Sequence, residues 1–120
     1  MSQPDQCCSL HPYFRIHEGK VEDFKALSRA FTAKTRTEPG CLFYCFSFDG
    51  QDAHCREGYV DADALLFHIE HLGPEIQQSL AISDLVRIEV HATAADVAKL
   101  REPLKEMSPK FFTLENGFRN

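Results

Sequence analysis

The chain has 120 residues, a net charge of −5 and 43% apolar residues. This length and composition are typical of one globular domain with its own core, spanning residues 1–120. No apolar run approaches the roughly 20 residues that a membrane-spanning helix needs. Basic residues do not cluster, which argues against a nucleic acid or a membrane as partner.

The cysteines favour a reducing compartment. There are five of them, an odd number, and they show no CxxC spacing. Buried free cysteine behaves as a small apolar residue, so the sequence predicts unpaired thiols and a cytoplasmic location.

The first predicted elements are a strand and a helix. Residues 1–8 are expected to be flexible, and the alternation in Ser9 to Ile16 predicts a strand. One face of this strand then carries His11, Tyr13 and Arg15, and the other carries Pro12, Phe14 and Ile16. A helix should run from Val21 to about Thr37 and end at Glu38-Pro39-Gly40. Its apolar stripe consists of Val21, Phe24, Leu27 and Phe31.

An unusually apolar hairpin follows. Cys41 to Phe48 is rich in aromatic residues and carries no charge on either side of the pleat. A strand that exposes one face to water alternates apolar and polar residues, so this strand is expected to be covered on both faces. Asp49-Gly50 predicts a reverse turn, and a second strand should run from about Ala53 to Val60.

The second half predicts two further helices, a strand and short end elements. Asp61 is the expected cap of a helix that ends at Gly73-Pro74. Its inward positions are Ala62, Leu65, Leu66, Ile69 and Leu72. A short helix from Pro74 to Leu80 precedes a strand from Leu85 to His91, with Val86, Ile88 and Val90 on one face. Thr93 should cap a helix over about Ala94 to Arg101, and Phe111 to Glu115 suggests a final strand.

The order of these elements predicts the fold. Strand, helix, strand, strand, helix, strand with right-handed crossovers gives a ferredoxin-like α+β subunit with an antiparallel sheet and helices on one face. Because the Cys41–Phe48 strand is apolar on both sides, the helix-free face also needs cover. A second copy of the sheet would supply it, so we expect a homodimer through this face. The alternative is a monomer covered by its C-terminal segment.

The histidines first suggest a metal. His68 and His71 are neighbours on one helix face, and His11, His54 and His91 come from predicted strands. However, the sequence has no HExxH motif and no close cluster of Cys and His, so no metal site is predicted.

The strand His54 to Tyr59 holds the densest group of ionisable residues. Alternation places Cys55, Glu57 and Tyr59 on one face and Arg56 on the other. A buried Glu57 or Arg56 needs partners, with Arg15 or Arg87 as candidates for Glu57 and Glu89 for Arg56. Two interpretations remain open, an ion-pair network or the polar end of an apolar pocket.

His68 is the most specific candidate. It lies beside the inward stripe of its helix, near the predicted boundary between helix and sheet. An imidazole there can act as a general base, because its pKa is easily tuned near neutrality, or it can be a core-edge histidine bonded to the backbone. The predicted cavity around it is a small-molecule site whose walls and polar groups are Glu57, Phe14, Tyr44, Leu65 and Leu72.

Three segments resemble the antibiotic biosynthesis monooxygenase family. They are Thr37–Tyr44 with its EPGC turn, Arg56–Asp61 with its E-x-Y-x-D strand end, and Ala64–His68. The similarity covers roughly residues 10–92, and the spacing of Glu57, Tyr59, Ala64 and His68 is its specific part. The resemblance implies a ferredoxin-like subunit, a dimeric α+β barrel and a ligand cavity between sheet and helices.

The resemblance implies more than one activity. Some relatives oxidise phenolic intermediates with O2 and without metal or flavin, whereas another branch binds haem through the helix histidine, with a tryptophan and an asparagine nearby. This chain has no tryptophan, although His68 occupies the ligand-like position. We therefore expect a cofactor-independent monooxygenase of a small aromatic or quinol-type molecule. His68 would be the base, and Tyr59 or Arg56 would stabilise the developing charge. The alternatives are a haem-binding protein and a non-catalytic binding or regulatory dimer.

Overall fold

A five-stranded sheet forms the centre of the molecule in the computed structural model, which describes residues 2–120. The strand order is β3-β4-β2-β5-β6, antiparallel except for the parallel pair β5 and β6. A separate two-stranded ribbon joins β1 and β7 near the chain ends. The strands are β1 Gln3–Pro4, β2 Cys8–Ile16, β3 Cys41–Asp49, β4 Asp52–Tyr59, β5 Ser83–Ala92, β6 Lys110–Thr113 and β7 Phe118–Arg119.

The helices complete the predicted ferredoxin-like α+β subunit. The order β2-α1-β3-β4-α2-β5 confirms the expected βαββαβ arrangement, with α3 inserted before β5. None of the helices within residues 2–120 is long and apolar enough to cross a membrane. The helices are α1 Val21–Thr35, α2 Ala62–His71, α3 Gly73–Ile82 and α4 Ala94–Leu100, followed by a 3-10 turn at Lys105–Met107.

The core lies between the helices and one face of the sheet. Strand β2 alternates as predicted, with Pro12, Phe14 and Ile16 buried and Arg15 exposed on the other side. Helix α2 begins where Asp61 was expected to cap it, since the Asp61 side chain accepts a hydrogen bond from the Ala64 backbone N–H at 2.9 Å. The cap fixes the start of α2 and therefore which of its residues face the sheet.

Several predicted boundaries and faces were wrong. The N-terminal residues expected to be flexible include β1, which pairs with β7, and Cys7 and Cys8 are buried. Helix α3 continues to Ile82 rather than Leu80. Val86 does not share a face with Ile88 and Val90, because the register of β5 shifts opposite Tyr13–Phe14 and leaves Val86 62% exposed.

Strand β3 differs from the prediction because it lies at the edge of the sheet. In the single chain, α1 covers only one of its faces, where Phe46 and Phe48 pack around Phe24. On its other side Phe43 and Cys45 are exposed. The expectation that the strand is covered on both faces therefore fails for one chain alone.

The terminal ribbon covers one end of the helix-free face. The Arg119 guanidinium lies 5.7 Å from the centre of the Phe43 ring, and Phe43 packs across Gly58. A Cβ at Gly58 would lie 2.3 Å from that ring, which explains the glycine. The C-terminal segment thus covers part of this face, and the histidine-bearing part remains open.

Candidate active site

An apolar cavity of about 300 Å³ lies between the sheet and helices α1, α2 and α3. Its walls are mostly aliphatic and aromatic, and Glu57, His68 and Tyr44 are the titratable groups among them. No lysine or arginine of residues 2–120 lines it. An apolar cavity with a few converging polar groups is the usual form of a small-molecule site. The apolar wall includes Leu10, Pro12, Phe14, Phe31, Phe46, Ile69, Ile76, Leu80, Leu85, Ile88 and Met107.

Glu57 is a carboxyl group buried in the sheet. Strand β4 turns it toward the helices because it pairs with Leu10 of β2 and Tyr44 of β3, which share that face. The Tyr59 hydroxyl donates a hydrogen bond of 2.5 Å to Glu57 Oε1. Burial raises the pKa of Glu57 to about 8, although the hydrogen bonds from Tyr59 and Cys55 oppose the shift. Glu57 therefore carries a proton at neutral pH.

His68 bridges Glu57 and a second buried carboxylate. It projects from α2 with Nε2 at 3.3 Å from Glu57 Oε1 and Nδ1 at 3.1 Å from both oxygens of Glu38. Burial lowers the pKa of His68, with Glu38 opposing the shift. A neutral ring that donates its Nδ1 proton to Glu38 leaves the Nε2 lone pair directed toward Glu57.

Glu38 is the functional residue that the sequence analysis missed. The sequence interpretation treated it as part of the helix stop Glu38-Pro39-Gly40, but its side chain is only 2% exposed and it also meets Nδ1 of His71 at 2.8 Å. It is held in place by its backbone N–H, which bonds to the Thr35 carbonyl at the end of α1. Its position in the EPGC turn that carries the family resemblance was the one available signal.

Glu57 and His68 form a close pair of titratable side chains at the wall of the cavity. A protonated Glu57 beside a neutral His68 has the same net charge as a carboxylate beside an imidazolium, so the proton can move between them without changing the charge of the buried site. The pair can therefore donate or accept a proton near neutral pH. Tyr44 remains a neutral phenol that can donate a hydrogen bond, because burial and then Glu57 raise its pKa.

The structure brings together some of the predicted site residues and separates others. His68, Glu57, Phe14 and Tyr44 all line the cavity. Tyr59 lies behind Glu57 and acts on it through its hydrogen bond. The three remaining residues do not line the cavity: Leu65 and Leu72 are fully buried, and Arg56 is exposed on the opposite face of the sheet.

The ion-pair partners in the structure also differ from those predicted for Glu57. Arg15 pairs with Asp52 at 3.1 Å and Arg87 pairs with Glu89, so neither guanidinium reaches Glu57. Alternation places both arginines on the helix-free face, opposite Glu57. Glu57 is instead partnered by a phenol and an imidazole.

The donor set does not group ligands for a protein-bound metal. Both ring nitrogens of His68 lie within 3.3 Å of a carboxylate oxygen, so a haem iron at Nε2 would compete with Glu57 for that lone pair. Among residues 2–120, no three His, Cys, Asp or Glu side chains are grouped in a way that could hold a metal ion.

Comparison with known proteins agrees with this architecture. No protein-family model matches the chain, and no curated protein matches it either. The crystal structure of MupZ from Pseudomonas fluorescens is similar, with 43% identity over 97% of this chain and 96% of that chain and a TM-score of 0.92. Rv0793 from Mycobacterium tuberculosis shows 25% identity over 71% of this chain and 92% of its own, with a TM-score of 0.62.

A third structure links the fold to a named class. A crystal structure described as an antibiotic biosynthesis monooxygenase has 22% identity, covers 69% of this chain and 94% of that chain, and gives a TM-score of 0.63. The fold is thus that of the ferredoxin-like α+β proteins. The chain belongs to the same family as MupZ, and it shares its fold with the protein described as an antibiotic biosynthesis monooxygenase, which confirms the resemblance predicted from its sequence.

Proposed function

We propose that the protein is an enzyme that uses general acid–base catalysis by Glu57 and His68 on a small, largely apolar molecule. The observation that carries this proposal is the close pair of titratable groups, with 3.3 Å between His68 Nε2 and Glu57 Oε1, at the wall of an otherwise apolar cavity. Burying two such groups costs free energy unless they are fully partnered. Their burial beside a cavity therefore supports a functional role. Perturbed titrating groups in a cleft are typical of active sites.

The reaction that we propose is oxygenation by O2 without a cofactor. O2 reacts poorly with neutral closed-shell molecules, so the enzyme must first form an electron-rich anion. His68 Nε2 takes a proton from an enolisable or phenolic substrate, and Glu38 stabilises the resulting imidazolium through Nδ1–H. Protonated Glu57 and the Tyr44 hydroxyl donate hydrogen bonds to the developing oxyanion.

The balance of this reaction needs no external reductant. The substrate anion gives electrons to O2, a C–O bond forms, and the O–O bond then breaks. Overall a CH2 group and O2 become a carbonyl group and water, and the proton held by His68 leaves in that water. The apolar walls exclude bulk water, which strengthens the interactions that stabilise the anion.

Anthrone is a suitable probe because its CH2 group loses a proton to give a phenolate-like anion, and it is neutral and apolar. We expect the wild-type protein to accelerate O2 uptake and formation of anthraquinone above the uncatalysed rate. The variants Glu57→Gln and His68→Gln should each lower turnover by about 10²–10⁴-fold, the usual contribution of a general acid or base. Glu70→Gln and His17→Gln, at exposed positions, are the matched controls.

A second reaction class is favoured by the raised pKa of Glu57. An acid that keeps its proton at neutral pH suits redox-neutral proton transfer, such as isomerisation or addition of water, as well as it suits oxygenation. Deuterium exchange into anthrone from D2O under argon would separate the two. Exchange under argon that depends on His68, together with no accelerated O2 uptake in air, would identify proton transfer as the whole reaction.

We also propose that the active form is a homodimer through the helix-free face. The unpaired aromatic side of β3 and the partly exposed histidines of β2, β4 and β5 support it, because a second sheet would cover both at once. The cavity lies on the opposite face, so each subunit would carry its own site.

A further inference from the structure

A continuous line of hydrogen-bonding groups leads from the cavity to the surface through Glu38. Glu57 and His68 at the cavity have side chains that are 4% and 3% exposed. On the far side of His68, the Glu38 carboxylate contacts His68 Nδ1 at 3.1 Å and His71 Nδ1 at 2.8 Å. The His71 side chain is 26% exposed. The line therefore begins at the reacting groups and ends at water.

The helix geometry explains why both imidazoles reach one carboxylate. Positions three apart on an α-helix are neighbours on one face, so His68 and His71 project from α2 in nearly the same direction. The turn after α1 places Glu38 beside them, with its backbone N–H bonded to the Thr35 carbonyl at 2.9 Å. Neither Glu38 nor His71 lines the apolar cavity, so direct contact with a ligand there does not account for them.

We propose that His71 is the outer end of a proton relay, in which Glu38 passes protons between His71 and His68 and so connects the Glu57–His68 pair to bulk water. An imidazole accepts a proton on one ring nitrogen and releases another from the other, and a carboxylate accepts on one oxygen and releases from either. Once His68 Nε2 has taken up a proton, one passage moves the Nδ1 proton of His68 to Glu38, a proton from Glu38 to His71 Nδ1, and the Nε2 proton of His71 to water. The return passage restores every group, so no oxidant or reductant is involved.

The relay gives the active site a route for protons that the cavity itself lacks. A ligand that fills an apolar cavity excludes water from Glu57 and His68. Their protonation state would then be frozen until the ligand left, unless protons could reach His68 from behind. His71 is thus a positioning residue that acts through Glu38, and its role rests on the function proposed above for Glu57 and His68.

A competing route exists at the end of α1. A shallow cleft lined by Thr32, Arg36 and Tyr44 also borders Glu38. The Glu38 side chain is only 2% exposed there, which favours His71 as the group in contact with water.

Side-chain NMR of the 15N-labelled, ligand-free protein tests the relay without any substrate. The measurement is the rate at which the Nδ1 proton of His68 exchanges with water. In His71→Gln, the amide can still donate a hydrogen bond to Glu38 but cannot pass a proton on. We expect the exchange rate to fall by about 100-fold, the lower range for loss of an acid–base group. His17→Gln, at an exposed histidine, should leave the rate unchanged.

A second variant distinguishes the loss of proton transfer from a structural defect at position 71. In His71→Ala, free imidazole added to the buffer should occupy the vacated space and restore fast exchange, whereas a packing defect would not respond to imidazole. Unchanged exchange in His71→Gln, or no response of His71→Ala to imidazole, would overturn the relay. Absence of anthrone turnover in the wild type would instead count against the proposed reaction and leave the NMR result standing.

Discussion

The two faces of the sheet both carry histidines and glutamates but stabilise them in opposite ways. On the helix-covered face, each ring nitrogen of His68 meets a carboxylate oxygen within 3.3 Å. On the open face, imidazoles lie beside one another: the ring centres of His11 and His91 are 4.3 Å apart, and those of His11 and His54 are 5.9 Å apart. His54 Nε2 is buried there without a hydrogen-bond partner.

The difference shows that burial alone does not define an active site. The covered face combines an apolar cavity, a carboxyl whose pKa is raised by burial and an imidazole with a carboxylate oxygen near each ring nitrogen. On the open face, burial, with His91 and His54 nearby, lowers the pKa of His11 to about 4. The covered face thus groups titratable side chains beside a cavity, whereas the open face favours the neutral form of His11.

The largest effect is expected from a charge placed at the centre of the open face. In Tyr13→Lys, an ammonium group directly opposite Arg87 and beside His54 would be buried next to like charge in the proposed dimer. The dissociation constant should rise by about 10³-fold, equivalent to about 4 kcal/mol. Sedimentation velocity over a concentration series measures it. Phe67→Lys, at an exposed position of α2, is the control and should not change assembly. A wild-type chain that sediments as a 13.7 kDa particle at all concentrations would contradict the dimer.

The next effect concerns the pH dependence of stability from the covered face. The folded-state pKa of Glu57 is about 8 and its ordinary value is 4.5. Between pH 4.5 and pH 8 the folded chain keeps a proton that the unfolded chain loses. The stabilisation that Glu57 contributes to the folded state is therefore fully present below pH 4.5 and is lost as the pH rises through 8. The loss should be several kcal/mol and at most about 5 kcal/mol, because one pKa unit corresponds to about 1.4 kcal/mol. Urea unfolding across this range should show a much flatter dependence in Glu57→Gln, and an equal slope would contradict the assignment.

The open face should give a smaller effect of opposite sign. Since the pKa of His11 is lowered from 6.5 to about 4, between these two pH values the unfolded chain binds a proton at His11 and the folded chain does not. Stability from His11 is present above 6.5 and is lost as pH falls toward 4. The ring is partly exposed, which reduces the effect to about 1 kcal/mol. His11→Phe should remove this acid sensitivity and His17→Phe should not; equal curves for wild type and His11→Phe would refute it.

The smallest effect is expected at the rim of the open face. Arg15 and Asp52 form an exposed ion pair at 3.1 Å, and exposed pairs contribute only about 0.2–1 kcal/mol. Arg15→Gln should therefore shift the free energy of unfolding by about 0.5 kcal/mol or less, and by less still in high salt. A shift of several kcal/mol would mean that the rim is more buried in solution than in the single chain.

How well a feature of the fold or site could be predicted depends on how far apart in the sequence the interacting residues lie. Alternation placed Glu57 and Tyr59 on one face and Arg56 on the other, but it could not say which face meets the helices, so it could not show that Arg56 lies away from the cavity. Leu65 and Leu72 were predicted to face inward, and they do, yet they pack in the core beside the cavity rather than lining it. A helical stripe specifies direction without specifying the space that remains once neighbours have packed.

The sequence by itself determined the order of elements, the cap of α2, the alternating faces of β2 and the family, because these depend on residues close together in the chain. Only the tertiary structure decided that Glu38, His68 and Glu57 meet, since 30 residues separate Glu38 from His68 along the chain. It also decided that β3 is an edge strand, which depends on the order of strands in the sheet. The physical reason is that propensity and periodicity act locally, whereas the pKa of a buried carboxyl depends on what the whole fold places around it.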